Sequence, residues 1–252
     1  MSFIYSFQSE WLKKKHSAAA ALVWLGAFLI PVILVLIRLK NFKTLAAANA
    51  STGGWDWLYK LGWQFMATFL LPLGVMLATS LITQIEYRNN TWKQALAAPQ
   101  NISTLFFSKL SIILVMLLQF FILYNIGIYL AGVLPALFKG VPYPHAAFPY
   151  YKYLTGSAWF FIDCLPIVGL QYLISLQFRN FLVPLGVGIG LYVASMVAVQ
   201  WEYGYTIPYS YSTLEFFKDK SPNPHIHLWA IMYFILFIGT SYILFSLKKD
   251  KS

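Results

Sequence analysis

The chain has 252 residues, of which 59% are hydrophobic and 10% charged, with a formal net charge of +10, and its mean hydropathy is +0.64. A soluble domain carries roughly 25% charged residues, so this composition excludes one and describes an integral membrane protein. The positive balance reads as membrane topology and contact with anionic lipid, and no nucleic-acid footprint accompanies it.

The chain opens with "MSFIYSFQSEWLKKKHS". Phe3, Phe7 and Trp11, with Ile4, recur at helical spacing on one side, which predicts an elbow helix over 1–16 lying flat in the inner interface, aromatics in lipid and lysines toward phosphate. A plain stop signal for the first span is the other reading. Apolar runs then follow at 17–37, 61–82, 111–133, 156–176, 181–199 and 228–247. At about 1.5 Å per residue a run of roughly 20 crosses a hydrocarbon core of about 30 Å. Backbone groups in lipid must be satisfied within their own segment, and the runs do not alternate, so six transmembrane helices are expected and a barrel is excluded. The first run is too long for a cleavable signal and leads straight into Arg38 and Lys40.

With the N-terminus inside, ten basic residues fall on inner segments (Lys13, Lys14, Lys15, Arg88, Lys93, Lys109, Arg179, Lys248, Lys249, Lys251) and eight on outer ones (Arg38, Lys40, Lys43, Lys60, Lys139, Lys152, Lys218, Lys220). The inner ones sit closer to span ends, where the bias counts, so both termini are expected in the cytoplasm of a cell (plasma or inner) membrane.

Between the second and third runs lies "EYRNNTWKQALAAPQNISTLFFSKL". Thr91 and Gln94 have the spacing of a capping box, which starts a helix at Trp92. Trp92, Ala95 and Leu96 share a face, Pro99 ends the element, and Asn101 or Ser103 caps the approach to the third span. The insert 86–104 is therefore expected to hold a short, stiff amphipathic helix across the inner mouth of the bundle, able to transmit a push.

The outer segments 134–155 and 200–227 are dense in Tyr, Phe and Pro. Such residues favour the headgroup level, so these segments are expected to hug the outer surface or dip back into it. A short helix over 212–218, capped by Ser212, fits this picture. The functional alternative is an aromatic vestibule for a lipid-like or peptide substrate.

Asp163 is the only acidic residue well inside a span, about 10 Å from the outer end of the fourth. It is a candidate for the pathway, unless it is protonated or satisfied by Gln119, Asn125 or a tyrosine. His225 and His227 with His145 and Glu202 offer metal donors outside, but histidines at i, i+2 on an irregular loop ordinarily face solvent, and no metal is expected. Cys164 is alone and forms no internal disulfide. Gly186 and Gly190 form a small-xxx-small pair suited to packing within the subunit or against a second one. No Walker motif occurs, so the chain binds no nucleotide of its own.

At this point a resemblance is specific. The run Glu86, Tyr87, Arg88, Asn89, Asn90, Thr91, Trp92, Lys93, Gln94, Ala95, Leu96, Ala97, Ala98, Pro99 resembles the signature between the second and third spans of type-2 ATP-binding-cassette export permeases. Asn90 stands where Gly is commoner, and Ala95 where Leu is usual. "SEWLKKK" is similar to the amphipathic opening of bacteriocin-immunity and multidrug members. The resemblance implies that Glu86 and Arg88 hold the turn and that Thr91 to Ala98 form a coupling helix docked in a separate ATPase subunit, where ATP and Mg are bound. It also implies a partner permease, identical or related, and export of a peptide antibiotic, lipid or hydrophobic drug. The competing classes are a membrane-embedded enzyme, which would need paired carboxylates or a Ser with a His in reach, and a passive channel or scaffold, which has no use for a capped inner helix.

Overall fold

A computed structural model of the protein describes residues 3–15, 17–51, 53–88, 101–217 and 225–249, the side chains of 86–88 and 248–249 excepted. Every regular element among them is helical. In chain order these are α1 (Phe3–Lys15), α2 (Ala18–Lys40), α3 (Phe42–Ala50), α4 (Gly54–Phe65), a π-helical stretch (Met66–Leu70), α5 (Leu71–Arg88), α6 (Ile102–Lys139), α7 (Tyr150–Gln177), α8 (Leu182–Ala198), two 3-10 turns (Gly204–Thr206 and Pro208–Ser210), α9 (Tyr211–Phe216) and α10 (Ile226–Lys249).

Among the described residues, five helices are long and apolar enough to cross a membrane: Ala18–Lys40, Gly54–Ile85, Ile102–Lys139, Tyr150–Gln177 and Ile226–Leu247. The run expected as a fifth span of six forms Leu182–Ala198, 17 residues, or about 25 Å, which is short of the hydrocarbon thickness.

Helices outrun the apolar runs because polar residues at their ends find partners on other helices. The third span begins not near 111 but at Ile102, with Asn101 as N-cap making no side-chain cap bond. Ser103 pairs with the Tyr242 hydroxyl at 2.6 Å and Ser108 with Ser6 at 3.0 Å. At the other end of this 38-residue helix, Gly140 takes a left-handed φ of 62° and donates to the Ala136 carbonyl, a stop that glycine permits without steric cost. The insert expected over 86–104 is thus narrowed from both sides, since 86–88 continue α5 and 102–104 belong to α6.

The spans pack on two themes. α2 lies along α6 and α10 along α7, and α5 bridges to α7. In the first pair the contact is apolar and close: a Cβ at Gly127 would stand 2.7 Å from the Pro31 ring. The Pro31 ring thus meets a glycine rather than a bulkier side chain, which lets the two helices approach closely. Between α4, α6 and α7 the core is aromatic, with Trp63 edge-on to Tyr124 and Tyr153, and Tyr124 donates to the Gly62 carbonyl at 2.8 Å.

The π-helical stretch is a device, not a flaw. Widening the helix there disturbs the regular carbonyl ladder, and side chains from elsewhere use the carbonyls: Ser212 Oγ donates to Ala67 at 2.8 Å and Tyr192 to Thr68 at 2.7 Å. Ser212 therefore sits inside α9 bonding to another helix; the N-cap of α9 is Ser210, without a side-chain cap bond. The segment 204–216 does dip back: Tyr209, Ser210, Tyr211 and Ser212 are all fully buried.

Candidate functional site

Polar assemblies interrupt the apolar bundle. The first surrounds Asp163, which is fully buried on α7. Because α7 starts at Tyr150, Asp163 lies about 20 Å along it, deeper than the expected 10 Å. Two of the side chains expected to satisfy it bond elsewhere. Gln119 accepts from Lys14 at 2.8 Å, and Asn125 donates to Ser157 at 2.8 Å. Instead His227 Nδ1 lies 2.9 Å from Asp163 Oδ1, and His227 Nε2 lies 3.7 Å from Glu215. Trp159 stacks on the imidazole with centroids 4.1 Å apart.

Two sequence expectations are corrected here. His227 is the second residue of the last span helix, not a loop residue grouped with His145 and Glu202; the His145 backbone N–H is engaged by the Asn49 carbonyl at 2.8 Å. Asp163 does have an acidic neighbour, Glu215, because the dipping segment carries it inward. One donor atom from each of Asp163, Glu215 and His227 lies within 4.8 Å of the others, a set able to hold a divalent cation. Tyr211 borders the same group: burial, then Tyr233 and then Asp163, push its phenol well above the ordinary value, and its buried hydroxyl has no hydrogen-bond partner.

The second assembly is a polar seam between α5, α7 and the dipping segment. Gln171 donates to Ser80 Oγ and to the Pro184 carbonyl, both at 2.9 Å, and accepts from Tyr209 at 2.7 Å. Burial keeps the Tyr209 phenol protonated for that bond. Ser80 pairs with Ser175 at 3.2 Å, and Gln84 donates to the Phe178 carbonyl at 2.7 Å. A buried polar seam of this kind can exchange its bonds for water, which an apolar one cannot.

The third joins α1 to α6. Ser6, Glu10 and Lys14, one helical turn apart, are buried, while Phe3 is 45% and Trp11 38% exposed and Phe7 stacks on Trp11. The polar stripe faces the bundle and the aromatics face outward, so Lys14 does not reach toward phosphate as expected. Glu10 pairs with Lys109 at 2.7 Å and with Lys13. Burial alone would raise the Glu10 carboxyl, but the charge and hydrogen bond of Lys109, with those of Lys13, hold it below its ordinary value.

Of the residues expected at the coupling insert, Glu86 and Arg88 lie in the last turn of α5, and Asn90, Thr91, Trp92, Gln94, Leu96 and Pro99 fall outside the described residues. A family model described as "ABC-2 family transporter protein" matches residues 6–197. The chain belongs to the ABC-2 transporter family. Neither a curated protein nor a solved structure matches it. As an ABC-2 permease it is a multi-pass transport subunit of a class that generally lacks a nucleotide site of its own, and membership implies partnership with an ABC ATPase subunit. The matched stretch includes Asp163 but ends before Glu215 and His227, so the group around Asp163 is completed by a part of this permease outside the family match.

Proposed function

We propose that the chain is the membrane half of an exporter that moves a hydrophobic or amphipathic substrate, such as a peptide antibiotic, a lipid or a drug, driven by ATP hydrolysed on a separate subunit. Family membership carries this reading. The permease pairs with a second copy or a related chain in the plasma or inner membrane, with both termini in the cytoplasm, and α1 serves as its elbow helix. Closure of the ATPase subunits around ATP pushes a coupling helix at Thr91 to Ala98. Its flanks are α5 and α6, so a push there is delivered to two spans at once. The polar seam of Ser80, Gln84, Gln171 and Ser175 gives α5 a surface against α7 that can open to water, and Asp163 gates its far end.

Co-purification tests the reading. A Walker-motif ATPase without spans of its own is expected to be retained by the wild-type chain and lost when Thr91 and Trp92 are both replaced by Gly. Retention together with unchanged ATPase stimulation would count against coupling through this insert. A compound panel against the reconstituted complex would name the substrate by its stimulation of ATP hydrolysis, and Asp163→Asn is expected to blunt that stimulation severalfold while basal hydrolysis persists.

A further inference from the structure

Arg38, in the last turn of α2, is only 7% exposed. One terminal nitrogen donates to Asn49 Oδ1 at 2.6 Å and reaches the Gly132 carbonyl at 3.4 Å. Its buried Nε has no hydrogen-bond partner, and among the described residues no carboxylate pairs with it. The other buried charges are served directly, Lys109 by Glu10, Asp163 by His227 and Lys14 by the Gln119 side-chain oxygen, whereas the Arg38 Nε is not. A buried guanidinium without an anion is costly, and the cost is offset when an anion arrives from outside.

The surroundings say which anion. Arg38 lines a cavity of about 330 Å³, together with Asn41, Thr44 and Ser51 on its polar side and Leu45 and Trp57 on its apolar side. Lys40 and Lys43, close in sequence to the lining residues, are exposed, and α3, which forms one wall, contains no acidic residue. Trp57 in the lining, and Leu36 and Phe42, which adjoin lining residues Ile37 and Asn41 in sequence, are 44%, 59% and 42% exposed, apolar surface that acyl chains cover at the end of a span. Arginine's planar fork suits two oxygens of one phosphate or carboxylate, and the apolar surface beside it favours the phosphate of a lipid. We propose that this cavity binds the phosphate of an anionic phospholipid headgroup, anchored by Arg38. In the orientation proposed above this end of the bundle faces outside, so the lipid is one of the outer leaflet. The site fixes α2 against α3 and leaves the polar seam untouched.

Native mass spectrometry of the full chain in neutral detergent, titrated with phosphatidylglycerol or phosphatidylcholine, tests this. Retention of phosphatidylglycerol is expected to exceed that of phosphatidylcholine, and Arg38→Gln to weaken it about tenfold, as loss of a charged hydrogen bond does, with Arg38→Lys in between. Inorganic phosphate and a peptide with a free C-terminal carboxylate, each in large excess, are expected not to displace the lipid. Displacement by phosphate would make this a free-anion site, and displacement by the peptide a substrate site; either overturns the lipid assignment, as does undiminished binding by Arg38→Gln. Should Arg38→Gln fail to fold, Thr44→Phe, which fills the cavity from exposed α3, is expected to lower retention equally, and full retention there overturns the proposal.

Discussion

Glu10 and Lys109 illustrate how a charge survives inside this protein. Their side chains are 3% and 1% exposed, 2.7 Å apart. Removing one member of such a pair strands the other in a low-dielectric site, at a cost of about 3–5 kcal/mol, whereas replacing both by apolar groups is often nearly neutral. Glu10→Gln is therefore expected to lower the thermal midpoint of the detergent-solubilised protein sharply, and Glu10→Gln combined with Lys109→Met to recover most of the loss. A sum of two independent losses in the double variant would show that the pair is not coupled. The pH dependence has a definite sign. Because the folded carboxyl is held below its ordinary 4.5, the contribution of the pair is complete above that value and is lost as pH falls through the lower, folded value. Stability lent by α1 should thus be flat from neutral pH down to about 5 and fall only in stronger acid. A decline already at pH 6 to 7, abolished by Glu10→Gln, would contradict this.

Among the elements, the α2–α6 contact and α8 make opposite predictions for glycine. An added methyl at Gly127 meets the Pro31 ring at 2.7 and 3.0 Å, and a proline ring cannot swing aside, so Gly127→Ala should cost about 1–3 kcal/mol. At Gly186 and Gly190 nothing lies within 4 Å. Among the described residues the small-xxx-small pair therefore has no packing partner, contrary to one of its two readings, whereas a Cβ at Gly188 would meet Met76 at 2.6 Å. Gly186→Ala and Gly190→Ala should leave the unfolding midpoint unchanged, measured beside Gly127→Ala under identical conditions. Hydropathy revealed the spans because a run of apolar residues is a local property, and it failed at their ends for the same reason. Ser103 and Lys109 look like loop residues until Tyr242 and Glu10, each remote in sequence, satisfy them. The Asp163–His227 contact joins residues 64 apart, which periodicity cannot register. The π-helical stretch has no sequence signature, and the dipping segment shares its Tyr-rich composition with loops that rest on the surface.

For the whole molecule, the two kinds of interface imply a division of labour. α1, α2 and α6 are joined by a buried ion pair and by the interlock of Pro31 with Gly127; separating them would strand charges and open dry voids. α5 meets α7 across hydroxyls and amides, which water can serve equally well. A transport cycle driven through the α5–α6 connection should therefore move α1, α2 and α6 as one body and open the α5–α7 seam. Cysteine pairs separate these motions, and the native background is small because Cys164 is buried. Ser6→Cys with Ser108→Cys, whose hydroxyls stand 3.0 Å apart, should cross-link on oxidation and leave ATP-driven efflux from vesicles intact. Ser80→Cys with Ser175→Cys, at 3.2 Å, should cross-link and arrest efflux until a reductant is added. If the first bridge stops transport and the second does not, the moving boundary runs between α1 and α6 instead, and the polar seam is only a packing surface.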